Sequence, residues 1–304
     1  GAVVVSRAAM SAAAEKPVKK RWRRRALWAV VGIVVLDQLL FWTLLTRPAG
    51  AIGKLIERTG TDEAPYFELR PGLSATYESW GRGNVTGVHT NALGLRDPAR
   101  AAEKGEKRRV LVTGDSIAFG IGVEDEEAFP RQMERQLAER GATDIEVWNA
   151  GVPGYAMADH LGFLRRKLLS LKPDVIVLQL SRNDAAVPMP LSDRFMTATR
   201  YSGLARVWMI YRFNFVEDGA LFRESLTGYL EECRRAGVKL IVAYEGLPEG
   251  RAEVLKTLAD AGVPAIEIGG DAYPKLPDDP HYNAEGNRRV AERLLPEVLS
   301  ALGR

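Results

Sequence analysis

From residue 109 to the C-terminus the chain switches repeatedly between two hydrophobic periods. Short runs rich in Val, Ile and Leu at 109–113, 145–149, 174–180, 238–245 and 264–269 have the length and composition of strands. Between and after them, residues 127–140, 157–171, 220–237, 249–261 and 284–302 have the length and pattern of helices with one apolar face. The run DVIVLQL at 174–180 is nearly continuous in its apolar character, as expected of a strand covered on both faces. Five strands alternating with helices predict a parallel, doubly wound sheet. In such sheets ligands bind beyond the carboxyl ends of the strands. Residues 185–219 interrupt the pattern as an irregular insertion rich in Pro, Met and aromatics.

A different pattern precedes residue 47. Residues 26–46, ALWAVVGIVVLDQLLFWTLLT, form a 21-residue apolar run with one charge, Asp37. About 20 such residues span a bilayer as a helix. KKRWRRR at 19–25 precedes the run, Pro48 follows it, and Trp22, Trp28 and Trp42 lie near its ends. This reads as an uncleaved transmembrane anchor with residues 1–25 as a cytoplasmic basic tail and the body on the far side. A cleaved leader is the competing reading, with Pro48-Ala49-Gly50 supplying small residues near a cleavage site. Asp37 is costly in lipid, which suggests a partner helix beside it. Residues 47–108 read as a connector with short strands and turns, and 109–304 as the main domain.

Charge supports this division. The chain has 42 Lys and Arg against 39 Asp and Glu, but residues 1–46 hold eight basic and two acidic residues. The remainder has a small acidic excess and no basic face that would point to nucleic acid. One cysteine, Cys233, excludes an intramolecular disulfide. There is no Cys/His cluster, no nucleotide-binding glycine motif and no other sign of a metal or cofactor, so none is expected.

Three segments at or beyond strand ends carry candidate chemistry. Gly114-Asp115-Ser116 follows the first strand and exposes a serine at a tight turn before a helix. A serine needs a neighbouring base to act as a nucleophile. His281, in Asp278-Asp279-Pro280-His281, is the best of three histidines. His89 and His160 read as surface or packing residues. Asp278, three residues before His281, is the preferred partner to fix the imidazole, with Asp279 competing for that role. Asn183, after the third strand, and Gly151, after the second, are candidate oxyanion donors together with the Ser116 N–H.

These segments, in this order, resemble the SGNH (GDSL-type) hydrolase family over about residues 109–303. Gly114-Asp115-Ser116, Asn149-Ala150-Gly151, Asn183-Asp184 and Asp278-Asp279-Pro280-His281 match its four blocks. The resemblance implies Ser116 as nucleophile, His281 as base, Asp278 as its partner, and Ser116, Gly151 and Asn183 as the oxyanion hole. It departs at Ser181, where the third block usually has Gly, and this puts the loop backbone in question. The lead-in NALGLRDP also resembles envelope members of the family. The resulting expectation is a flavodoxin-like three-layer α/β/α domain with a five-stranded parallel sheet, behind a transmembrane helix. Its expected activity is that of an extracytoplasmic serine esterase at the inner membrane, acting on O-acyl groups of an envelope or secreted glycan. Two alternatives stay open: an O-acyltransferase using the same residues, and a catalytically silent component of an envelope complex.

Overall fold

A computed structural model describes residues 16–46, 52–61, 63–79, 83–188, 202–205, 207–208, 211, 216–247 and 250–304. Most of the expected insertion 185–219 therefore lies outside the described residues. The first helix, α1 (Lys16–Thr46), covers the expected anchor and begins well before it. Among the described residues no helix is long and apolar enough to cross a membrane.

The connector folds into a short helix, α2 (Ile52–Leu55), and two antiparallel pairs. β1 (Ile56–Arg58) pairs with β2 (Phe67–Leu69), and β3 (Ser74–Ser79) pairs with β4 (Asn84–His89). The expected short strands are present. Leu55, Phe67, Leu69, Tyr77, Val88 and Leu95 are buried in one apolar cluster with Leu111, Trp148 and Ile176 of the main sheet. The connector thus shares the core of the residues that follow it.

The main sheet contains β5 (Arg108–Gly114), β6 (Ile145–Gly151), β7 (Val175–Ser181), β8 (Lys239–Glu245) and β9 (Ala265–Glu267). All its pairings are parallel, in the order β6-β5-β7-β8-β9. This is the expected doubly wound, flavodoxin-like order. Side chains alternate across a strand, and the cores follow that rule. Leu111, Ile176, Leu178, Leu240 and Val242 face one cluster. Val110, Val112, Val175, Val177, Ile241 and Ala243 face the other.

The first of these faces is covered by α5 (Met157–Arg166) and α6 (Gly219–Ala236), with the connector beside them. The second is covered by α4 (Phe129–Glu139) and α8 (Ala284–Ala301). α7 (Arg251–Asp260) precedes β9. The helix expected at 157–171 ends at Arg166 and continues as a 3₁₀ turn, Leu168–Leu171. Lys172 there has φ 53°, a left-handed conformation that stops helical propagation. Cys233 is free and buried within α6, on the apolar face the spacing predicted.

One glycine joins the connector to the helical layer. A Cβ on Gly162 of α5 would lie 2.0 Å from the Ala64 carbonyl oxygen. The obstacle is backbone, so no side-chain rotation relieves it. Gly162→Ala is therefore expected to cost about 1–3 kcal/mol through overpacking. Gly53→Ala, where nothing lies within 4 Å, should not be destabilising. Denaturant unfolding of the two variants measures the difference.

Candidate active site

The sheet order reverses at β5, between β6 and β7, and the candidate residues gather there. Ser116 begins a four-residue helix, α3 (Ser116–Phe119), directly after β5. Asp115 caps that helix, its Oδ1 accepting from Ile117 N at 2.9 Å. As the first residue of α3, Ser116 has no earlier turn of that helix to receive its N–H. Glycine is required at 114, because a Cβ there would lie 2.5 Å from Gln179 Oε1 and 2.7 Å from Ala118 Cβ. Gln179 Oε1 in turn accepts the Asp115 and Ala118 N–H groups.

His281 reaches the serine. Its Nε2 lies 2.8 Å from Ser116 Oγ. On its other side, Nδ1 lies 2.5 Å from Asp279 Oδ1. A carboxylate at Nδ1 favours the proton on that nitrogen and leaves Nε2 to accept from the serine.

The partner is Asp279, and the preference for Asp278 is corrected. Asp278 has φ 55° and an exposed side chain. This left-handed residue turns the chain so that the next carboxylate points inward. Asp279 Oδ1 also accepts His281 N at 2.9 Å. An aspartate accepting the N–H two residues on is an Asx turn, and the Asp-Pro-His order was the sequence signal for it. Spacing alone did not separate two adjacent aspartates.

The connector adds a fourth member. Ser79, the last residue of β3, is buried and donates to Asp279 Oδ2 at 2.5 Å. Burial pushes the Asp279 carboxyl up, but the bonds from Ser79 and from the backbone and ring of His281 outweigh it. They hold Asp279 below the ordinary carboxylate value. Nothing in a serine two hundred residues upstream marks it as part of this chain of contacts.

The third block is held by Asp115. Its Oδ2 accepts from Asn183 Nδ2 at 3.0 Å and from Ser181 Oγ at 2.7 Å. An amide nitrogen carries two protons, so Asn183 keeps one for a substrate oxygen. Ser181, the departure from the family pattern, has an extended backbone (φ −135°, ψ 179°) that any residue adopts. Its hydroxyl also touches Asn183 Oδ1. The loop is therefore not strained by the replacement, and the added hydroxyl links the same two side chains.

Gly151 is placed differently from expectation. Its N–H donates to Asn149 Oδ1 at 3.0 Å, so in this state it is not free for an oxyanion. Its lack of a side chain has a separate cause. A Cβ there would lie 2.2 Å from Phe119 N, so glycine lets β6 approach the nucleophile helix.

One further contributor was not singled out in the sequence. Arg96, in the connector and 1 % exposed, donates Nη1 to the Phe119 and Gly120 carbonyls at 3.0 and 2.6 Å. Its Nη2 donates to Gly87 O and Val123 O, and its Nε to Asp125 Oδ1. It thereby binds the carboxyl end of α3 to the connector. His160, expected to be structural, is fully buried with Nε2 3.1 Å from Asp184 Oδ1. The two atoms approach without the alignment of a hydrogen bond. Asp184 Oδ2 accepts Ser181 N at 2.5 Å, which supports the loop behind Asn183. Burial raises the Asp184 carboxyl, with His160 pulling it the other way. His89 lies at the surface, its Nδ1 2.6 Å from Asp125 Oδ2.

A family model described as GDSL-like Lipase/Acylhydrolase family matches residues 112–289. That is more than half of the chain, and the chain belongs to this family. Among curated proteins it is similar to Esterase TesA of Pseudomonas aeruginosa, with 33% identity over 75 residues. The match spans 25% of this chain and only 37% of that esterase. Among solved structures it is similar to the psychrotrophic esterase EstA from Pseudoalteromonas sp., with TM-score 0.49 and 14% identity. That comparison covers 65% of this chain and 100% of the other. The lipase/acylhydrolase from Enterococcus faecalis aligns with TM-score 0.44 and 19% identity, over 64% and 96% of the two chains.

The geometry separates the two aspartates by experiment. Asp279→Asn should lower kcat by up to about 10⁴-fold, the scale seen when an orienting carboxylate is lost from such a triad. Asp278→Asn should stay within about twofold, since Asn tolerates the left-handed conformation. Steady-state kinetics on a short acyl ester distinguishes them.

A pH dependence of stability follows from Asp159. Burial raises this carboxyl to about 7, although it accepts Ala156 N. The unfolded value is about 4. The folded state therefore binds the proton more tightly, and stability present below pH ~4 is lost as pH rises through ~7. Asp159→Asn keeps an acceptor for Ala156 but does not titrate. Thermal unfolding should show the variant gaining on the native protein between pH 4 and 7, with a constant gap above pH 8. A gap independent of pH would contradict the assignment.

Proposed function

We propose that this chain is a serine ester hydrolase. The observation that carries the reading is the unbroken series Ser116 Oγ, His281 Nε2, His281 Nδ1 and Asp279 Oδ1, linked by contacts of 2.8 and 2.5 Å. Ser116 Oγ attacks the ester carbonyl carbon as His281 Nε2 takes its proton. The carbonyl oxygen gains charge and is met by the Ser116 N–H and the remaining Asn183 amide proton. Collapse of this intermediate expels the alcohol, which leaves with the proton from His281. Water then gives a proton to His281, attacks the acyl-enzyme and releases the acid as the proton returns to Ser116. Asp279 stays ionised and stabilises the imidazolium.

The placement is also proposed. Residues 26–46 anchor the chain in the inner membrane, with 1–25 in the cytoplasm and the body outside. The support is the length of the apolar run, the basic cluster at 19–25 and the continuous helix α1. An O-acyl group, such as acetate on an envelope or secreted glycan, is the substrate proposed for that location.

Labelling by a fluorophosphonate probe tests the nucleophile. One label per native chain and none on Ser116→Ala is expected, with turnover of short acyl esters abolished in the folded variant. Substantial turnover by Ser116→Ala would refute the hydrolase reading. Acetate release from an added acetylated polysaccharide tests the substrate. Transfer of the acetyl group to an added oligosaccharide would identify an acyltransferase.

A further inference from the structure

Position 79 breaks the pattern of its own strand. Side chains alternate along β3, and Tyr77 and Ser79 fall on the same, buried face. An apolar residue is expected at such a position, because a buried hydroxyl costs free energy unless it is hydrogen-bonded. Ser79 Oγ meets that condition on Asp279 Oδ2, at 2.5 Å.

The two oxygens of Asp279 have separate partners. Oδ1 receives N and Nδ1 of His281, at 2.9 and 2.5 Å. Both donors belong to the residue being oriented, so they do not fix the pair against the rest of the molecule. Oδ2 receives a donor from the connector instead. The Asp279 side chain is 3 % exposed, which leaves little room for water to replace a lost partner. Removing the Ser79 hydroxyl would leave a charged, buried oxygen without that donor, a costly state. Rotation of the carboxylate relieves that cost at the expense of its hold on His281.

The rung that carries Ser79 also grips the nucleophile side. Ser79 and Asn84 are register partners across the β3–β4 hairpin. Asn84 Nδ2 donates to Gly122 O at 2.8 Å, three residues beyond the end of α3. A Cβ on Gly122 would lie 2.7 Å from Asn84 Nδ2 and 2.3 Å from Leu276 Cδ1. The hairpin, the segment after Ser116 and the loop before His281 therefore converge at close quarters. One rung bridges the segment of the nucleophile and the segment of the base. The family match begins at residue 112, so both rung residues lie outside it.

We infer that Ser79 is a positioning residue for the base. It fixes Asp279, and through it His281 Nε2, against Ser116, while Asn84 holds the nucleophile side from the same rung. The connector is on this account part of the catalytic unit. The inference rests on the hydrolase reading above and adds the group that holds its orienting carboxylate.

The test uses the full chain and a short acyl ester. Ser79→Ala should lower kcat by about 10–100-fold, the scale of a lost hydrogen bond to a charged group, with KM within about twofold. Ser79→Thr keeps the hydroxyl and should recover most of the loss. Ser79→Cys fills similar space with a weaker donor and should fall between them, which serves where the truncation unfolds the chain. Because Ser79 acts through the carboxylate, Ser79→Ala in an Asp279→Ala background should cost less than about twofold. The proton between His281 Nδ1 and Asp279 Oδ1 should give a far-downfield NMR resonance, sharp in the native chain and in Ser79→Thr and broadened by exchange in Ser79→Ala. Native kcat in folded Ser79→Ala or Ser79→Cys would overturn the inference and leave the hydrolase reading standing. A full loss in the Asp279→Ala background as well would reduce Ser79 to a structural residue of the connector. A native chain with neither turnover nor fluorophosphonate label would overturn the hydrolase reading, and the inference with it.

Discussion

The site depends on one carboxylate, Asp115, more than on any residue that would touch substrate. Its two oxygens face different elements. One caps α3 and so fixes where Ser116 begins its helix. The other receives Asn183 and Ser181 from the end of β7. The parallel register of β5 with β7 brings these strand ends together, and a buried, ionic acceptor converts that proximity into a fixed distance. Asp115 is 1 % exposed, and Ile117 N, Ser181 Oγ and Asn183 Nδ2 all donate to its carboxylate, so the low dielectric around it strengthens these bonds.

Much of this was legible in the residues. Five strands and their helices were readable because both sheet faces are covered, which writes the strands as apolar runs. Ser116, His281 and Asn183 were readable because their chemistry is rare and each follows a strand end or precedes the last helix. Asp279 was named but ranked behind Asp278, because residue spacing carries no backbone handedness, and the left-handed turn at Asp278 decides which carboxylate faces inward. Ser79 and Arg96 were missed for a different reason. Their roles arise from contacts made by the connector, and no local period records which distant strand a serine or arginine will meet. The boundary of α5 was overrun because Lys167, an ordinary residue within a continuing apolar pattern, leaves helical geometry (φ −132°, ψ −54°).

Ser181 shows how a departure from a pattern is absorbed. Glycine is needed where φ is positive or where a Cβ meets backbone, and position 181 meets neither condition. Serine there adds a donor in a place already rich in acceptors, Asp115 Oδ2, Asn183 Oδ1 and Asp184 Oδ2. Gly114 and Gly151 are the opposite case. Each has a neighbour closer than 3 Å to a would-be Cβ, so neither accepts the same replacement.

The contact between Ser79 and Asp279 spans two hundred positions of the chain. The connector that holds Ser79 leaves the ribosome well before the base and its partner. No competent centre exists while the chain is being made, because the nucleophile waits for a histidine that has not yet emerged. Closing so long a loop is slow relative to forming local helices. An ester bond met by the nascent chain is therefore safe from it. Loss of the stretch from His281 onward would take the base and also α8, which covers one face of the sheet, so the base cannot be cut away without uncovering that face.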